Sequence, residues 1–345
     1  MTPIHGQTEE DLKKYLIGAG EKPFRVKQIF EWIYARGAST WEEMTDLGKG
    51  LRERLSRDFA FSTLTQVRTQ HSHDQETAKF LWQLEDGALV ESVLICSEER
   101  RTVCVSSQVG CPARCAFCAS GKEGLVRNLT VAEIVEQVYQ IDAHLKQKGE
   151  RVSHVVFMGM GEPLENYDPV VQAIRFLIDP QRLNLSQRRI TVSTVGIVDQ
   201  IGRLAKEGFK VNLVLSLHAP NQRIRQKIIP YARKYSLDAI LEAMVSYQRE
   251  TKRDVTYEYT LLHKINDDVE QAQELSRLLA GQQCTVNLIP YNPVQGLRLK
   301  RPDKETIQAF RATLEAAGIT TTWRYTKGKD IAAACGQLAL QKIGV

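Results

Sequence analysis

The chain has 345 residues, of which 43% are hydrophobic and 25% are charged, and its formal net charge at pH 7 is +5. This composition is that of a soluble globular protein, and the length suits one large α/β domain with an accessory piece. The longest apolar runs are far shorter than the roughly 20 residues of a membrane-spanning helix, and the N-terminus lacks the pattern of a signal peptide. We therefore expect a cytoplasmic protein with no membrane contact.

Residues 1–75 are predicted to form a small helical accessory domain. TEEDLKKYLIGAG begins with a threonine cap, has acidic residues in its first turn and ends at glycine. FRVKQIFEWIYARG places its large apolar side chains near helical spacing, and TWEEMTDLGKGLRERLSRDF continues the pattern. Residues 76–100 then alternate apolar and polar side chains around Asp86 and Gly87, which predicts a β-hairpin.

Residues 101–345 alternate strand and helix patterns six times, which predicts parallel strands with crossover helices. The fold class is therefore α/β, a partial (βα)6 barrel whose site should lie at the carboxyl ends of the strands. The predicted strands are 102–107, 152–159, 189–195, 210–217, 254–262 and 284–290. The predicted helices are 131–146, 168–178, 198–208, 236–252, 268–280 and 304–317.

Three cysteines follow the first of these strands in the segment SSQVGCPARCAFCASG, namely Cys111, Cys115 and Cys118. Thiolates are the usual ligands of iron–sulfur clusters, and three of them leave the fourth iron of a [4Fe–4S] cluster open to another ligand. A structural zinc site is the alternative, but it normally needs four ligands, and no fourth ligand lies nearby in sequence. The spacing resembles that of the radical S-adenosylmethionine (SAM) superfamily, whose open iron binds SAM.

Short polar residues and glycines follow the later strands. Taken singly, each is more often an ordinary turn residue or cap, and His218 could equally be a hydrogen-bonded core histidine. Because the strands' carboxyl ends should meet, however, we expect these side chains to converge. The candidates are Gly161, Glu162, Ser193, Ser216, Leu217, His218 and Asn292.

Basic residues are concentrated between Pro180 and Lys234, where eleven Lys or Arg stand against Asp199 and Glu207. Such an excess predicts a phosphate-binding face, although a solvated basic surface is an equal alternative on charge alone. The eleven are Arg182, Arg188, Arg189, Arg203, Lys206, Lys210, Arg223, Arg225, Lys227, Arg233 and Lys234.

The motifs VCVSSQVGC, GLVRNLT, GMGEP, SLHAPN, NLIPYNP and CGQL occur in this order, and together they closely resemble the RlmN/Cfr family of radical SAM RNA adenosine methyltransferases. Pro163, HAPN and IPYNP favour the RlmN branch. One departure is Ala332, because the family usually has an acidic residue at this position.

This resemblance implies methylation of C2 of an adenosine in 23S rRNA, and probably in tRNA, with two SAM molecules used per turnover. It implies that Cys335 carries the methyl group, that Cys104 resolves the protein–RNA adduct by forming a disulfide, and that Glu91 accepts the proton. It also assigns the strand-end candidates above to SAM binding, the basic stretch and the helical domain to RNA contact, and a flavodoxin-type protein to electron supply.

Two alternatives remain open at this point. A Cfr-like enzyme would methylate C8 of the same adenosine, and a non-catalytic RNA-binding protein would use the cysteines for a structural metal. Cys96 and Cys284 have no predicted role beyond packing, and a monomer is the default expectation.

Overall fold

The computed structural model describes residues 1–323 and 327–339. Its N-terminal part begins with β1 (Thr2–Pro3) and contains α1 (Glu9–Gly18), α2 (Arg25–Phe30), a π-helical turn (Glu31–Arg36) and α3 (Lys49–Asp58). Strand β2 (Phe59–Ala60) pairs with β1 in parallel, so the two ends of this N-terminal part lie side by side. As the sequence predicts, the Thr8 hydroxyl caps α1 by accepting from the Asp11 amide.

A buried arginine helps to hold the helical segment against the rest of the chain. The Arg182 guanidinium lies over the rings of Phe30, Tyr34 and Phe176, with the last centroid 3.7 Å away. Its Nη1 donates to the Tyr34 hydroxyl at 3.0 Å. Arg182 is therefore a structural residue rather than a free surface cation.

Three antiparallel strands follow, β3 (Leu64–His71), β4 (Thr77–Leu84) and β5 (Leu89–Cys96). The last two are the predicted hairpin, which the structure confirms. The prediction of helix as far as residue 75 is wrong for β3. Its alternating Thr and Val residues suit an edge strand that pairs with β4, and this tertiary pairing decides its conformation.

The predicted strand–helix repeats are confirmed, with most strands slightly shorter than expected. The strands are β6 (Arg101–Cys104), β9 (His154–Phe157), β10 (Ile190–Thr194), β11 (Asn212–Ser216), β12 (Val255–Leu261), β13 (Cys284–Pro290) and the unpredicted β14 (Thr320–Trp323). Between β6 and β9 lies a small antiparallel pair, β7 (Gln108–Gly110) and β8 (Leu125–Asn128). The helices are α4 (Val131–Lys146), α5 (Tyr167–Ile178), α6 (Val198–Lys206), α7 (Gln222–Ile228), α8 (Leu237–Thr251), α9 (Val269–Leu278) and α10 (Lys304–Ala316).

All the long strands form one ten-stranded sheet in the order β14-β13-β12-β11-β10-β9-β6-β5-β4-β3. From β14 to β6 the neighbours are parallel, and at β6 the sheet becomes antiparallel. The carboxyl ends of seven strands therefore share one edge, as the α/β prediction requires. Within the described ranges, no helix combines the length and the apolar character needed to cross a membrane.

Candidate active site

The three clustered cysteines lie in the loop between β7 and β8. The loop is closed by the Cys111 amide, which donates to the Gly124 carbonyl at 2.9 Å, and by the Cys118 amide, which donates to Cys115 at 3.1 Å. The Ala116 amide donates to Ile228 at 2.8 Å and so joins the loop to α7. The chain thus holds three thiols in one compact loop at the carboxyl edge of the sheet.

Burial makes these thiols unfavourable as free anions. It raises the pKa of Cys111 to about 12 and the pKa of Cys115 well above its ordinary value, and the nearby thiols raise both further. A bound metal favours the thiolate form of such a group. In the described part of the chain no three His, Cys, Asp or Glu side chains converge on one metal ion.

Arg225 supplies a buried positive charge beside this loop. Its side chain is fully buried, Nε donates to the Leu217 carbonyl at 3.1 Å and Nη2 donates to Val195 at 2.6 Å. Nη1 has no hydrogen-bond partner among the described residues. Burial lowers the Arg225 pKa to about 10, while Cys115 and Glu162 raise it. This buried cation therefore lies close to the Cys115 thiol and the Glu162 carboxyl group.

In the turn after β9, the backbone packs closely against the residues that follow β6. A side chain at Gly159 would place its Cβ 2.6 Å from the Val105 carbonyl oxygen, so only glycine fits there. Glu162 is buried, its Oε2 accepts from the Val195 amide at 2.8 Å and its Oε1 accepts from Leu164 at 3.0 Å. Burial raises the Glu162 pKa to about 7. This carboxylate therefore ties the ends of β9 and β10 together.

His218 is both a cavity residue and a hydrogen-bonded buried residue. Its Nδ1 accepts from the Thr260 amide at 2.9 Å, and burial lowers its pKa to about 3. The ring is therefore neutral, with its proton on Nε2. It also packs edge-on against Phe117, with 4.8 Å between ring centroids, and so contacts the residue before Cys118.

Two adjoining cavities bring most of the candidates together. The larger, of about 370 Å³, is lined by Cys104 and Cys335, and the smaller, of about 130 Å³, by the three loop cysteines. Cys118, Asn292 and Cys335 line both. The smaller cavity is also lined by Gly161, Glu162, Ser193, Ser216 and His218. The Ser193 and Ser216 hydroxyl oxygens are 3.3 Å apart.

Leu217 and Glu91 lie outside the lining of both cavities. Leu217 is fully buried, and its carbonyl instead holds Arg225. Glu91 forms a buried ion pair, with its Oε1 3.0 Å from Lys79 Nζ, and its Oε2 accepts from the Ala339 amide at 3.0 Å. Glu91 thus contacts the segment that carries Cys335 rather than either cavity.

Cys335 is exposed and lies in a short C-terminal segment, residues 332–339, called here the Cys335 segment. The Ala119 amide donates to Gly336 at 2.8 Å, Ser120 Oγ donates to Leu338 at 2.6 Å and Asn292 Nδ2 donates to Cys335 at 3.2 Å. The segment is therefore bonded directly to the cysteine loop. Cys335 and the three loop cysteines are free thiols.

The eleven basic residues between Pro180 and Lys234 do not share one face. Arg182 and Arg225 are buried. Arg188, Arg189 and Lys210 precede β10 and β11, and therefore lie at the sheet edge opposite the cavities. At the carboxyl edge, three exposed cations remain in the segment after β11, namely Arg223, Lys227 and Arg233, while Lys234 pairs with Glu165 at 3.4 Å.

The sequence did not indicate that three cations are buried, namely Arg182, Arg225 and Lys79. In the sequence, Arg225 is one of eleven basic residues in the stretch from Pro180 to Lys234. It nevertheless shares a face of α7 with the buried Ile224 and Ile228, and this helical spacing could have indicated that Arg225 is buried. Lys79 had no such signal, because its partner depends on the register of the hairpin.

Comparisons with known proteins agree with this geometry. Residues 105–275 match the model of the radical SAM superfamily, and residues 2–60 match that of the ribosomal RNA large subunit methyltransferase N-terminal domain. The chain is 62% identical to a probable dual-specificity RNA methyltransferase RlmN 2 of Protochlamydia amoebophila, over 96% of this chain and 93% of that one. It is 47% identical to a probable dual-specificity RNA methyltransferase RlmN of Lysinibacillus sphaericus, over 98% and 89%. A crystal structure of a radical SAM methyltransferase from Sphaerobacter thermophilus superimposes with a TM-score of 0.96 at 43% identity, over 98% of this chain and 99% of that one.

Proposed function

Because this chain belongs to the RlmN family of radical SAM RNA methyltransferases, we propose that it methylates C2 of an adenosine in 23S rRNA and in tRNA through a methyl group carried on Cys335. Enzymes of this family use a [4Fe–4S] cluster and two SAM molecules per turnover. The relatives' names identify catalysts, so the alternative of a non-catalytic RNA-binding protein is set aside.

The residues around the smaller cavity fit the cofactors. Cys111, Cys115 and Cys118 would hold the cluster, and when bound, the cluster and SAM supply a carbon-centred radical that removes a hydrogen atom from a methylated thiol. Glu162 and His218 border the space left for SAM, together with Gly161, Ser193, Ser216 and Asn292. The Leu217 side chain is buried, so its contribution would come from its backbone.

Cys335 and Cys104, which line the larger cavity, carry out the remaining steps. The Cys335 thiolate would take a methyl group from the first SAM. Once a hydrogen atom is removed from that methyl group, its carbon would add to C2 of adenine as a radical. The adduct would then lose one electron, which would return to the cluster, and the C2 proton, which would pass to Glu91 beside the Cys335 segment. The Cys104 thiolate then attacks the Cys335 sulfur, so that a disulfide forms as the bond between sulfur and carbon breaks, and the carbon takes up a proton to become the product methyl group.

The observation that carries this proposal is that Cys104 and Cys335 line one cavity, while Cys335 also lines the cavity of the cysteine loop. A methyl group loaded on Cys335 could therefore meet both the radical source and the resolving thiol. The larger cavity, of about 370 Å³, has room for a planar base drawn out of its stack.

RNA contact is proposed for two regions. The helical segment, residues 1–75 including β3, would form the accessory contact, with the hairpin of 76–100 linking it to the barrel of 101–345. At the carboxyl edge, Arg223, Lys227 and Arg233 would meet the phosphate backbone. A flavodoxin-type reductant, a cytoplasmic location and a monomeric state remain predictions.

The test is anaerobic reconstitution of the full chain with iron and sulfide, followed by incubation with labelled SAM, a reductant and either an rRNA fragment or tRNA. Site-resolved mass spectrometry should place the methyl group on C2. Methylation at C8 would instead support the Cfr-like alternative, and a chain that never cleaves SAM would overturn the proposal.

A further inference from the structure

The hairpin carries an ion pair that is almost completely buried. The Lys79 side chain is 5% exposed and that of Glu91 is 1% exposed, with 3.0 Å between Nζ and Oε1. Removing two charges from water is costly, so a pair at this depth requires good geometry and further hydrogen bonds. Both residues have such bonds, and both of them reach the Cys335 segment.

The strand register explains how the pair reaches this segment. Lys79 lies opposite Val93 and Glu91 lies opposite Leu81, so the two form a diagonal pair on one face of the hairpin. Val93 in turn lies opposite Cys104. The alternate residues Trp82 and Ser92 point to the other face, where Ser92 contacts Gln137 of α4. The ion pair therefore faces the same side as Cys104.

The pair holds the two ends of the Cys335 segment. At the first end, Lys79 Nζ donates to the Ala332 carbonyl at 3.3 Å. At the other end, the Ala339 amide donates to Glu91 Oε2 at 3.0 Å. The middle of the segment is held separately by the cysteine loop and by Asn292. One buried ion pair thus links both flanks of the methyl-carrying thiol to the strand beside Cys104.

We propose that Lys79 is a positioning residue that fixes the Cys335 segment and the Glu91 carboxylate in one shared arrangement. The inference rests on the roles proposed above for Cys335 and Glu91. Without the Lys79 cation, the buried Glu91 carboxylate loses this ion pair and the attraction that holds it in place, and it shifts. The Ala339 amide then loses its acceptor and the Ala332 carbonyl loses its donor. The Cys335 thiol and the Glu91 carboxylate are therefore displaced together.

The test compares Lys79→Met, which keeps side-chain length, with Lys79→Arg, which keeps the charge and donors. Hydrogen exchange of the peptide covering 332–339 is measured first, and it should be about tenfold faster in Lys79→Met, the loss expected for one charge-assisted contact. Formation of methyl-Cys335 from SAM should fall by a similar factor, and release of methylated RNA should fall further. Lys79→Arg should restore most of each quantity.

Lys146→Met is the matched control, because Lys146 Nζ also pairs with a buried carboxylate, Asp142 at 2.9 Å, and donates to a carbonyl, Tyr34 at 2.6 Å. It should leave exchange of the Cys335 segment unchanged. If Lys79→Met does not fold, Lys79→Gln is measured with the same expectations. Exchange and methyl-Cys335 formation equal to those of the unaltered protein would overturn the proposal. The exchange result stands whatever base position the enzyme methylates, so failure of the proposed function is recognised separately.

Discussion

The side-chain amide of Asn292 donates a hydrogen bond to the backbone carbonyl of Cys335 at 3.2 Å, and this joins the end of β13 to the proposed methyl carrier. Asn292 also lines the cavity proposed for SAM. The residue that the sequence suggests as a cofactor contact is therefore also a support for the reactive thiol, and loss of its amide should affect both functions.

Asn292→Ala should slow methylation of Cys335 about fivefold to tenfold, because a neutral hydrogen bond contributes about 1 kcal/mol and the SAM cavity also changes. The measurement is the rate of methyl-Cys335 formation at several SAM concentrations. Gln337→Ala is the control, because Gln337 Nε2 supports the same segment through the Pro293 carbonyl at 2.9 Å but does not line either cavity. A change in SAM affinity in both variants would contradict a separate contact of Asn292 with SAM.

The pair of thiols gives a sharper test of the order of steps. Cys104→Ala should accumulate a covalent protein–RNA species, because no thiolate remains to break the bond between Cys335 and the RNA carbon. Cys335→Ala should form neither methyl-cysteine nor adduct. Gel analysis under denaturing conditions, with mass spectrometry of the adduct, measures both. Cys284→Ala is the control, since Cys284 begins β13 at the opposite edge of the sheet. Free methylated RNA from Cys335→Ala would refute the thiol carrier.

Arg225→Met should impair cluster assembly. The substitution removes the buried cation beside the thiols and leaves the Leu217, Val195 and Ser216 carbonyls without their donor. Each such loss costs about 1–3 kcal/mol, so the free energy of unfolding should also fall. Iron and sulfide bound per chain, together with the visible spectrum after reconstitution, report the first effect. Arg223→Met, an exposed position on the same helix, should retain the cluster, and equal iron content in the two variants would contradict the role of Arg225.

Much of this arrangement follows from the sequence, because strand and helix periodicities and the cysteine spacing are local signals. The loop cysteines and the polar residues after β9, β10 and β11 can be located from them, since parallel strands share an edge. Strand β3 could not be predicted from the sequence, because pairing with β4 decides its conformation. The Lys79–Glu91 pair depends on which residues of the hairpin stand opposite each other. That register is set by the geometry of the turn together with the hydrophobic pattern, and the turn residues Asp86 and Gly87 do not by themselves reveal it. The burial of Arg182 likewise depends on three rings from distant segments.

Stability should fall in acid because His218 is buried as the neutral ring. Its pKa is about 3 in the folded protein, against an ordinary value of 6.5. Between these values the unfolded chain binds more protons, so the contribution is fully present above pH 6.5 and is lost as the pH falls toward 3. The loss from this group is on the order of 5 kcal/mol.

The measurement is the free energy of unfolding in urea between pH 7 and pH 4, in the unaltered protein and in His218→Asn. Asparagine tolerates the φ of 55° at this position, and its side-chain oxygen can accept from the Thr260 amide. The acid-induced loss should therefore be smaller in the variant. His73→Asn alters an exposed histidine and serves as the control. Identical slopes in the unaltered protein and His218→Asn would show that another group governs the acid response.

Ala332, the position that departs from the family pattern, adopts a φ of 50° at the start of the Cys335 segment. A left-handed conformation costs an alanine about 1 kcal/mol more than an asparagine, whose short polar side chain bonds locally. Ala332→Asn should therefore slow hydrogen exchange of residues 332–339 about fivefold, because the segment is less strained when its carbonyl meets Lys79. Lys252→Asn relieves a φ of 56° at the end of α8 and should leave that exchange unchanged. Faster exchange in Ala332→Asn would mean that the segment does not close on Lys79 in this conformation.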